Sequence, residues 1–239
     1  MAATETITIP QRFNGPLESG NGGYSAGVLA AFADGPVEVS LRRPVPLDTP
    51  LEIRRGEDGS VLAVDGDELV AEGRPGPELE LDVPAAVSLA DARAARQLYR
   101  GLGTGSFANC FVCGRARDDA FGVQAGRVQS RDVVASPWTP PEWTADESGT
   151  VRPEIVWAVL DCPTYFATYV DVPDPLPPAV LARFSVRIDA PVRAGDEHVA
   201  IGWPIEADGR KRRAGSAVVS SDGELLAVAE ALLIEPRGT

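Results

Sequence analysis

The sequence has only one histidine and three cysteines among its 239 residues. An odd number of cysteines in a chain of this length does not suit a disulfide-stapled domain, so we expect reduced thiols and a cytoplasmic protein. No apolar run reaches the length of about 18 residues that a transmembrane helix needs. The first ten residues also lack a basic segment followed by an apolar one, so we expect neither a membrane span nor a signal peptide.

Positive charge is scarce too, because 22 Lys and Arg stand against 35 Asp and Glu and give a formal net charge of −13. Nucleic-acid binding needs a basic surface that neutralises phosphates, so we expect no nucleic-acid partner. A small anionic ligand held by a local basic cluster is compatible with this charge. The hydrophobic content of 44% supports a packed core and argues against disorder.

One apolar stretch, residues 154–167, predicts a central helix that carries the acid Asp161 in its middle. A carboxylate among Trp157, Leu160 and Phe166 costs free energy to bury unless it is paired or hydrogen-bonded. Asp161 is therefore either a catalytic group or a structural acid. A structural acid would point into a polar gap or cap a neighbouring backbone group.

The order of predicted elements repeats along the chain. In each half a helix is followed by a strand, a break containing Pro and Val, and three strands joined by Asp-Gly turns. In the first half the helix covers residues 25–34 and the strands cover 37–41, 51–54, 60–64 and 68–72. In the second half the helix covers 154–167 and the strands cover 181–189, 198–206, 213–220 and 224–234. We interpret the shared order as an internal duplication.

This order predicts an α+β fold in which an antiparallel sheet wraps each long helix. Two such units would pair into one continuous sheet, because a single unit would leave its edges exposed. The predicted units are residues 1–75 and 107–239. Residues 76–106 form the predicted linker, with a helix over 88–100 for which Ser88 is the N-cap.

Three segments resemble hotdog-fold acyl-CoA thioesterases, and their positions imply a double hotdog within one chain. Asn109-Cys-Phe-Val-Cys-Gly114 is similar to the segment before the first strand of phenylacetate-pathway-type thioesterases. The separation of Glu154 and Asp161 matches that family's spacing between the second glycine of the helix start and its acid. Asn21-Gly-Gly-Tyr24 resembles the glycine-rich start of the same helix.

The two halves depart from the family's pattern in complementary ways. The second half has Asp161, but Arg152-Pro-Glu154 stands where His-Gly-Gly would be. The first half has Gly22 and Gly23, but Ala30 stands at the position of the acid. Sites of this family lie between two units, so the resemblance implies one composite site per chain, built from the glycines of unit one and the acid of unit two.

The resemblance also implies a role for each residue of that site. Free N–H groups at a helix N-terminus can stabilise the oxygen of a tetrahedral intermediate, and glycine lets the thioester carbonyl approach them. Gly23 and Tyr24 N–H would form this oxyanion hole, with Asn21 and Gly22 beside the substrate. Asp161 would act as general base on water or attack directly as the nucleophile.

Two further groups of residues are candidates for binding the substrate. Arg210, Lys211 and Arg212 form the one basic cluster of the chain. They would contact the phosphates of coenzyme A, or else lie at a solvated hairpin tip. Trp157 and Tyr165 would line an acyl pocket, or else pack in the core.

No metal site is expected. Cys110 and Cys113 form a CxxC pair, but Cys162 and His198 are the only other soft ligands and are far away in sequence. A structural zinc site needs four convergent ligands. We therefore assign the CxxC pair to packing of its loop.

Glu230 is expected to pair with an arginine on a face of the sheet.

These observations predict an acyl-CoA thioesterase that releases a free acid and CoA, with a small-molecule thioester as its partner and no cofactor beyond the CoA of the substrate. The main alternative is a non-catalytic hotdog protein that binds acyl-CoA or another acyl ligand. A third possibility is a structural subunit in which Asp161 is only a hydrogen-bonding group. Two units already complete the usual dimer, so we expect a monomer (a pseudo-dimer) or a homo-oligomer.

Overall fold

The computed structural model describes residues 5–101, 105 and 107–237. Residues 1–4, part of the segment expected to lack a signal peptide, lie outside the described residues. So do residues 102–104 and 106, at the end of the predicted linker, and the last two residues of the second predicted unit.

The described residues form three α-helices and eleven strands. The helices are α1 (Gly22–Ala30), α2 (Leu89–Arg96) and α3 (Pro153–Thr168). The strands of the first half are β1 (Thr6–Ile7), β2 (Val37–Leu41), β3 (Leu51–Arg55), β4 (Val61–Asp65) and β5 (Glu68–Pro75). Those that follow are β6 (Gly126–Arg127), β7 (Val134–Trp138), β8 (Val180–Ile188), β9 (His198–Asp208), β10 (Lys211–Ser220) and β11 (Leu225–Ile234).

All eleven strands form one antiparallel sheet in the order β1-β3-β4-β5-β2-β8-β11-β10-β9-β7-β6. The two halves meet where β2 pairs with β8, with Val39 opposite Phe184. Outward from this seam the order is β2, β5, β4, β3 on one side and β8, β11, β10, β9 on the other. The predicted sequence of helix, strand and three further strands is therefore observed in both halves, and the predicted continuous sheet joins them.

Helices α1 and α3 lie against each other at this seam because two glycines of α1 face α3. A Cβ atom at Gly23 would lie 2.4 Å from the carbonyl oxygen of Trp157, and one at Gly27 would lie 2.8 Å from Cα of Glu154. Real Cβ atoms do not approach backbone so closely. Glycine at these two positions, about one turn apart, is therefore what brings the start of α1 to the middle of α3.

Helix α1 begins three residues earlier than predicted. The side chain of Asn21 accepts a hydrogen bond from the backbone N–H of Tyr24 at 2.9 Å and caps the helix. The glycines of residues 22–23, which lie outside the predicted helix, therefore form its first turn. Helix α2 is shorter than predicted and ends at Arg96, but Ser88 is its N-cap as expected, accepting from Asp91 N–H at 3.1 Å.

The sheet buries apolar side chains on both faces in its second half. Alternate residues of a strand point to opposite faces. Ala200 of β9 belongs to the main core with α3, whereas Val199, Ile201 and Trp203 form a second cluster with Ala92 of α2. Helix α2 therefore covers the face of the sheet opposite α3, and Trp203 lies on that far face.

The expected partner of Glu230 is Arg213, whose guanidinium lies 2.6 Å from the Glu230 carboxylate across β10 and β11. Leu160 of α3 is anchored to β10, because Ser216 Oγ donates a 2.6 Å hydrogen bond to its carbonyl oxygen.

Among the residues described, no helix is both long enough and apolar enough to cross a lipid bilayer.

Candidate functional site

The N-terminus of α1 meets the middle of α3 in a direct hydrogen bond. The backbone N–H of Gly23 donates to Oδ2 of Asp161 at 3.0 Å. Gly23 belongs to the first half of the chain and Asp161 to the second, so the two groups that the sequence assigned to one composite site are in contact. The contact depends on the close helix packing that Gly23 allows.

Asp161 is half-buried on α3, with Leu160 and Cys162 buried on either side of it. Burial raises the pKa of this carboxyl group from its ordinary value of 3.8 to about 7. The hydrogen bond from Gly23 N–H lowers the pKa, and the neighbouring Cys110 raises it, but burial is the largest effect. The carboxyl group is thus held close to the point at which it can both accept and release a proton near neutral pH.

A cavity of about 300 Å³ opens in front of Asp161. Segments from both halves of the chain line it. They are Gly15, Pro16, Ser19 to Gly22, Leu41 to Val45, Phe107, Cys110, Cys113, Asp161, Cys162, Tyr165, Phe166, Ala179 to Leu181 and Leu233. Exposed Arg42, Arg43 and Phe107 mark its outer end, while buried Cys110 and half-buried Asp161 mark its inner end. The cavity therefore leads from two arginines at its outer end to the acid of α3 that lies beside the start of α1.

The two N–H groups predicted as the oxyanion hole are both engaged. Gly23 N–H binds Asp161, and Tyr24 N–H binds the side chain of Asn21 at 2.9 Å. The Tyr24 ring is buried and stacks on Phe13, so Tyr24 does not line the cavity. Gly22 does line it, and Gly22 N–H, at the first position of α1, has no acceptor among the described residues. The free donor at this helix start is therefore Gly22, one residue earlier than expected.

The predicted acyl-pocket residues are divided by the structure. Tyr165 lines the cavity, and its hydroxyl donates to the carbonyl oxygen of Pro177 at 2.9 Å. Trp157 is buried against Phe184 in an edge-to-face contact and is absent from the described lining. Trp157 therefore packs α3 on the seam, as the alternative prediction of a core residue stated.

Arg210, Lys211 and Arg212 lie at the hairpin between β9 and β10 and are also absent from the described lining. Arg212 pairs with Glu235 at 2.9 Å, and Arg210 donates to the Glu235 carbonyl oxygen at 2.7 Å. The nearest lining residue in the sheet is Leu233 of β11, which pairs with Arg212 across the two strands.

Cys162 joins the CxxC pair despite its distance in sequence. The Sγ atoms of Cys110, Cys113 and Cys162 all lie within 4.8 Å of one another, and all three side chains are buried. Hydrogen bonds from Cys113 and Cys162 hold the pKa of Cys110 well below its ordinary value. His198 is elsewhere, where it packs near Trp138 and contacts the carbonyl oxygen of Arg193 at 3.0 Å. The CxxC loop is therefore part of the cavity wall, which sequence reasoning did not foresee.

Arg42, Arg43 and Phe107 were also missed. Arg42 and Arg43 follow β2 as a basic pair directly before Pro44, and that adjacency of two arginines was the one signal in the sequence. Arg42 is fixed by Glu72 of β5 at 2.6 Å, and Arg43 pairs with Glu68 at 2.5 Å. Phe107 carries no pattern that would have placed it at the cavity.

No protein-family profile matches this sequence, and no curated protein matches it either. Solved structures do resemble the whole chain. One is a hot dog fold protein of unknown function from Alicyclobacillus acidocaldarius, with 14% identity, 98% of this chain and 93% of that one covered, and a TM-score of 0.62. Another is the acyl-CoA thioesterase II TesB2 from Mycobacterium marinum, with 12% identity, the same coverage and a TM-score of 0.62.

A tesB protein from Mycobacterium avium subs paratuberculosis is similar in the same way, with 13% identity, 97% of this chain and 92% of that one covered, and a TM-score of 0.58. At such identities the likeness shows the fold. The predicted double hotdog, an α+β fold in which one chain holds two halves, each with a sheet around a helix, is confirmed.

Proposed function

We propose that this protein hydrolyses an acyl-CoA thioester to a free acid and CoA, at one site formed by the start of α1 and Asp161 of α3, in the cytoplasm. The observation that carries the proposal is the geometry of this meeting point. Gly22, which has a free backbone N–H, and the carboxylate of Asp161 line one cavity, and the N–H of Gly23 beside them holds that carboxylate.

The contacts divide the chemical tasks among these groups. Gly23 N–H holds Oδ2 of Asp161, which leaves Oδ1 to accept a proton from an attacking water or to attack the carbonyl carbon itself. Gly22 N–H would receive the thioester oxygen at the positive end of α1. One well-placed donor of this kind stabilises the developing oxyanion by about 3 kcal/mol.

The shape and charge of the cavity fit the two parts of an acyl-CoA. A volume of about 300 Å³ lies at the small end of ligand pockets and suits an acyl group. Arg42 and Arg43 at the outer rim would contact the phosphates of CoA, since paired guanidinium groups bind phosphate well. The TesB2 structure, a protein named as an acyl-CoA thioesterase with the same fold, supports this substrate class.

Release of CoA thiol from a panel of aliphatic and aromatic acyl-CoAs tests the proposal. Wild type should turn over one class of acyl group, and Asp161→Asn should lower kcat by about 10²- to 10⁴-fold, the usual effect of losing a general base. The asparagine side chain can still accept from Gly23 N–H, so the fold should survive. Glu154→Gln is the matched control, because it removes an acid of the same helix that lies outside the described cavity lining.

The non-catalytic alternative also has an observation in its favour. Asp161 already has a hydrogen-bond partner in Gly23, as a purely structural acid would. Binding of acyl-CoA without CoA release from any member of the panel would establish the binding protein and overturn the hydrolase. Absence of both binding and turnover would leave only the structural role. Equal rates for wild type and Asp161→Asn would remove Asp161 from catalysis.

A further inference from the structure

The inner wall of the cavity carries three thiols that come from two distant parts of the chain. Cys110 and Cys113 lie on the loop before β6, and Cys162 lies on α3. Their sulfur atoms are mutually within 4.8 Å, and Cys110 Sγ and Cys162 Sγ are 3.8 Å apart. None of the three is in a disulfide.

One of these separations equals that of two sulfur atoms around one metal ion, and the other two are bounded at 4.8 Å. Zinc binds thiolate sulfur at about 2.3 Å in a tetrahedral arrangement, which places two ligand sulfurs about 3.8 Å apart. The distance between Cys110 and Cys162 has this value without any movement. A disulfide would instead require the two sulfurs to approach to about 2.05 Å.

The backbone holds the loop thiols in place. Gly114 N–H donates to the carbonyl oxygen of Cys110 at 2.8 Å and closes a tight turn around the CxxC pair. A Cβ atom at Gly114 would lie 2.6 Å from that oxygen, so the turn requires glycine there. Cys162 is fixed independently by α3, whose neighbouring Leu160 is tied to β10 through Ser216. The three ligand positions are thus set by a turn and a helix that pack firmly.

We propose that Cys110, Cys113 and Cys162 bind one Zn²⁺ ion through their thiolates, with the fourth coordination position open to the cavity. Among the described residues no His, Asp or Glu joins this cluster, and all three cysteines line the cavity. Three protein ligands with a fourth position left to water or another small ligand is the arrangement of an open zinc site.

Asn21 and the start of α1 favour the negative charge of such a site, whereas the carboxylate of Asp161, which lines the same cavity, opposes it. Three thiolates and Zn²⁺ carry one net negative charge, and the amide nitrogen of Asn21 lies 3.9 Å from Cys110 Sγ as a donor. Asn21 also stands at the N-terminus of α1, the positive end of that helix. Donors to ligand sulfur support metal binding. The sequence argument against zinc assumed that Cys162 was too far from the CxxC pair, and the fold removes that premise.

Cobalt substitution of the full chain tests this site directly. Fully reduced protein, prepared without oxygen and treated with a chelator that is then removed, would be titrated with Co²⁺ and next with Zn²⁺. We expect one Co²⁺ per chain, with sulfur-to-cobalt charge-transfer bands and the visible bands of tetrahedral cobalt, both removed by one equivalent of Zn²⁺. Cys113→Ser should weaken Co²⁺ binding by more than about 100-fold. Loss of a residue that only hydrogen-bonds to a metal ligand costs about 10- to 100-fold, so a larger loss identifies Cys113 as a ligand.

Two controls keep the result interpretable. His198→Gln should bind Co²⁺ as wild type does, because the single histidine lies outside the cluster. If Cys113→Ser fails to fold, thiol reactivity of the wild type replaces it, since bound Zn²⁺ should protect the three thiols from a disulfide reagent until chelator is added. Folded, reduced wild type that shows no charge-transfer band at saturating Co²⁺, or thiols that react equally with and without Zn²⁺, would overturn the proposal. Neither result depends on whether the protein hydrolyses thioesters.

Discussion

The backbone N–H of Gly23 and the carboxylate of Asp161, 138 positions apart in the chain, share a hydrogen bond of 3.0 Å. The bond crosses from α1 to α3 and so joins the two halves of the protein next to the cavity. It gives Asp161 a structural role in addition to the proposed catalytic one, and substitutions can separate the two roles.

The first prediction concerns stability and compares two uncharged substitutions of Asp161. Asp161→Ala leaves Gly23 N–H without an acceptor, whereas Asp161→Asn can keep the bond. We expect the alanine variant to be less stable than the asparagine variant by about 1–3 kcal/mol, the cost of an unsatisfied buried donor. Urea unfolding of both variants measures the difference. Glu154→Ala and Glu154→Gln should differ less, and two Asp161 variants of equal stability would show that the bond contributes nothing.

The second prediction concerns the contact between α1 and α3. In Gly23→Ala the new Cβ would meet Trp157 O at 2.4 Å and Asp161 Cβ at 2.7 Å. Backbone cannot yield as a side chain does, so the helices must separate. We expect a loss of at least about 2 kcal/mol despite the helix propensity of alanine, together with loss of any hydrolase activity.

Gly35→Ala is the matched control for that substitution, since no atom of the described residues lies within 4 Å of a Cβ atom there. Its effect on the free energy of unfolding should stay within about 0.5 kcal/mol. If Gly23→Ala proves equally mild, the close helix contact does not position the site.

The sequence contained most of the sheet but not the exact start of α1. Strand β2 covers residues 37–41 as predicted, because apolar and polar side chains alternate over this whole range. The pattern of side chains placed the start of α1 at residue 25, because glycines 22 and 23 disfavour a helix. Only the cap by Asn21 and the packing on α3 make them helical.

The predicted contact between the start of α1 and Asp161 of α3 is observed, but most residues that line the cavity were not predicted. Resemblance to a known family brought Gly22, Gly23 and Asp161 together, since it supplied the relation between two units. No local pattern places Cys162 beside Cys110, because that proximity depends on how the CxxC loop folds back on α3. The adjacent Arg42 and Arg43 mark a basic pair, but that pattern does not indicate that the pair lines the cavity.

A third prediction distinguishes two candidate sites for the CoA phosphates. Arg43→Gln should raise the KM for acyl-CoA by about 5-fold, which corresponds to about 1 kcal/mol for an exposed charge contact. The KM for the matching N-acetylcysteamine thioester, which lacks the nucleotide, should not change. Replacing Arg210, Lys211 and Arg212 together by serine should leave both values unaltered. The opposite pattern would place the phosphates at the hairpin, as the sequence first indicated.

A fourth prediction concerns stability in acid. Glu72 is buried between Arg42 and Arg74, and their hydrogen bonds lower its pKa below the ordinary value of 4.5. A depressed folded-state pKa means that the stabilisation is present above pH 4.5 and is lost as the pH falls further. Glu72→Gln should therefore be less stable than wild type at pH 7, and the gap should close toward pH 3. Thermal unfolding across this range measures the gap.

Glu68→Gln is the control for acid stability, because the Glu68–Arg43 pair is exposed on both sides and such pairs contribute little. A gap between Glu72→Gln and wild type that stays constant from pH 7 to pH 3 would mean that the Glu72 carboxylate is not selectively stabilised in the folded protein.

The two helices that meet at the seam, α1 and α3, are encoded at different places in one chain. In a symmetric dimer of identical subunits, every substitution appears in both subunits. A substitution that suits one wall of a site therefore also changes the equivalent position of the second subunit. Here a codon change at Gly22 or at Tyr165 occurs once and alters a single wall of the cavity. The two walls can therefore be varied independently, which makes this chain a suitable starting point for selecting new acyl preferences from libraries built on one helix at a time.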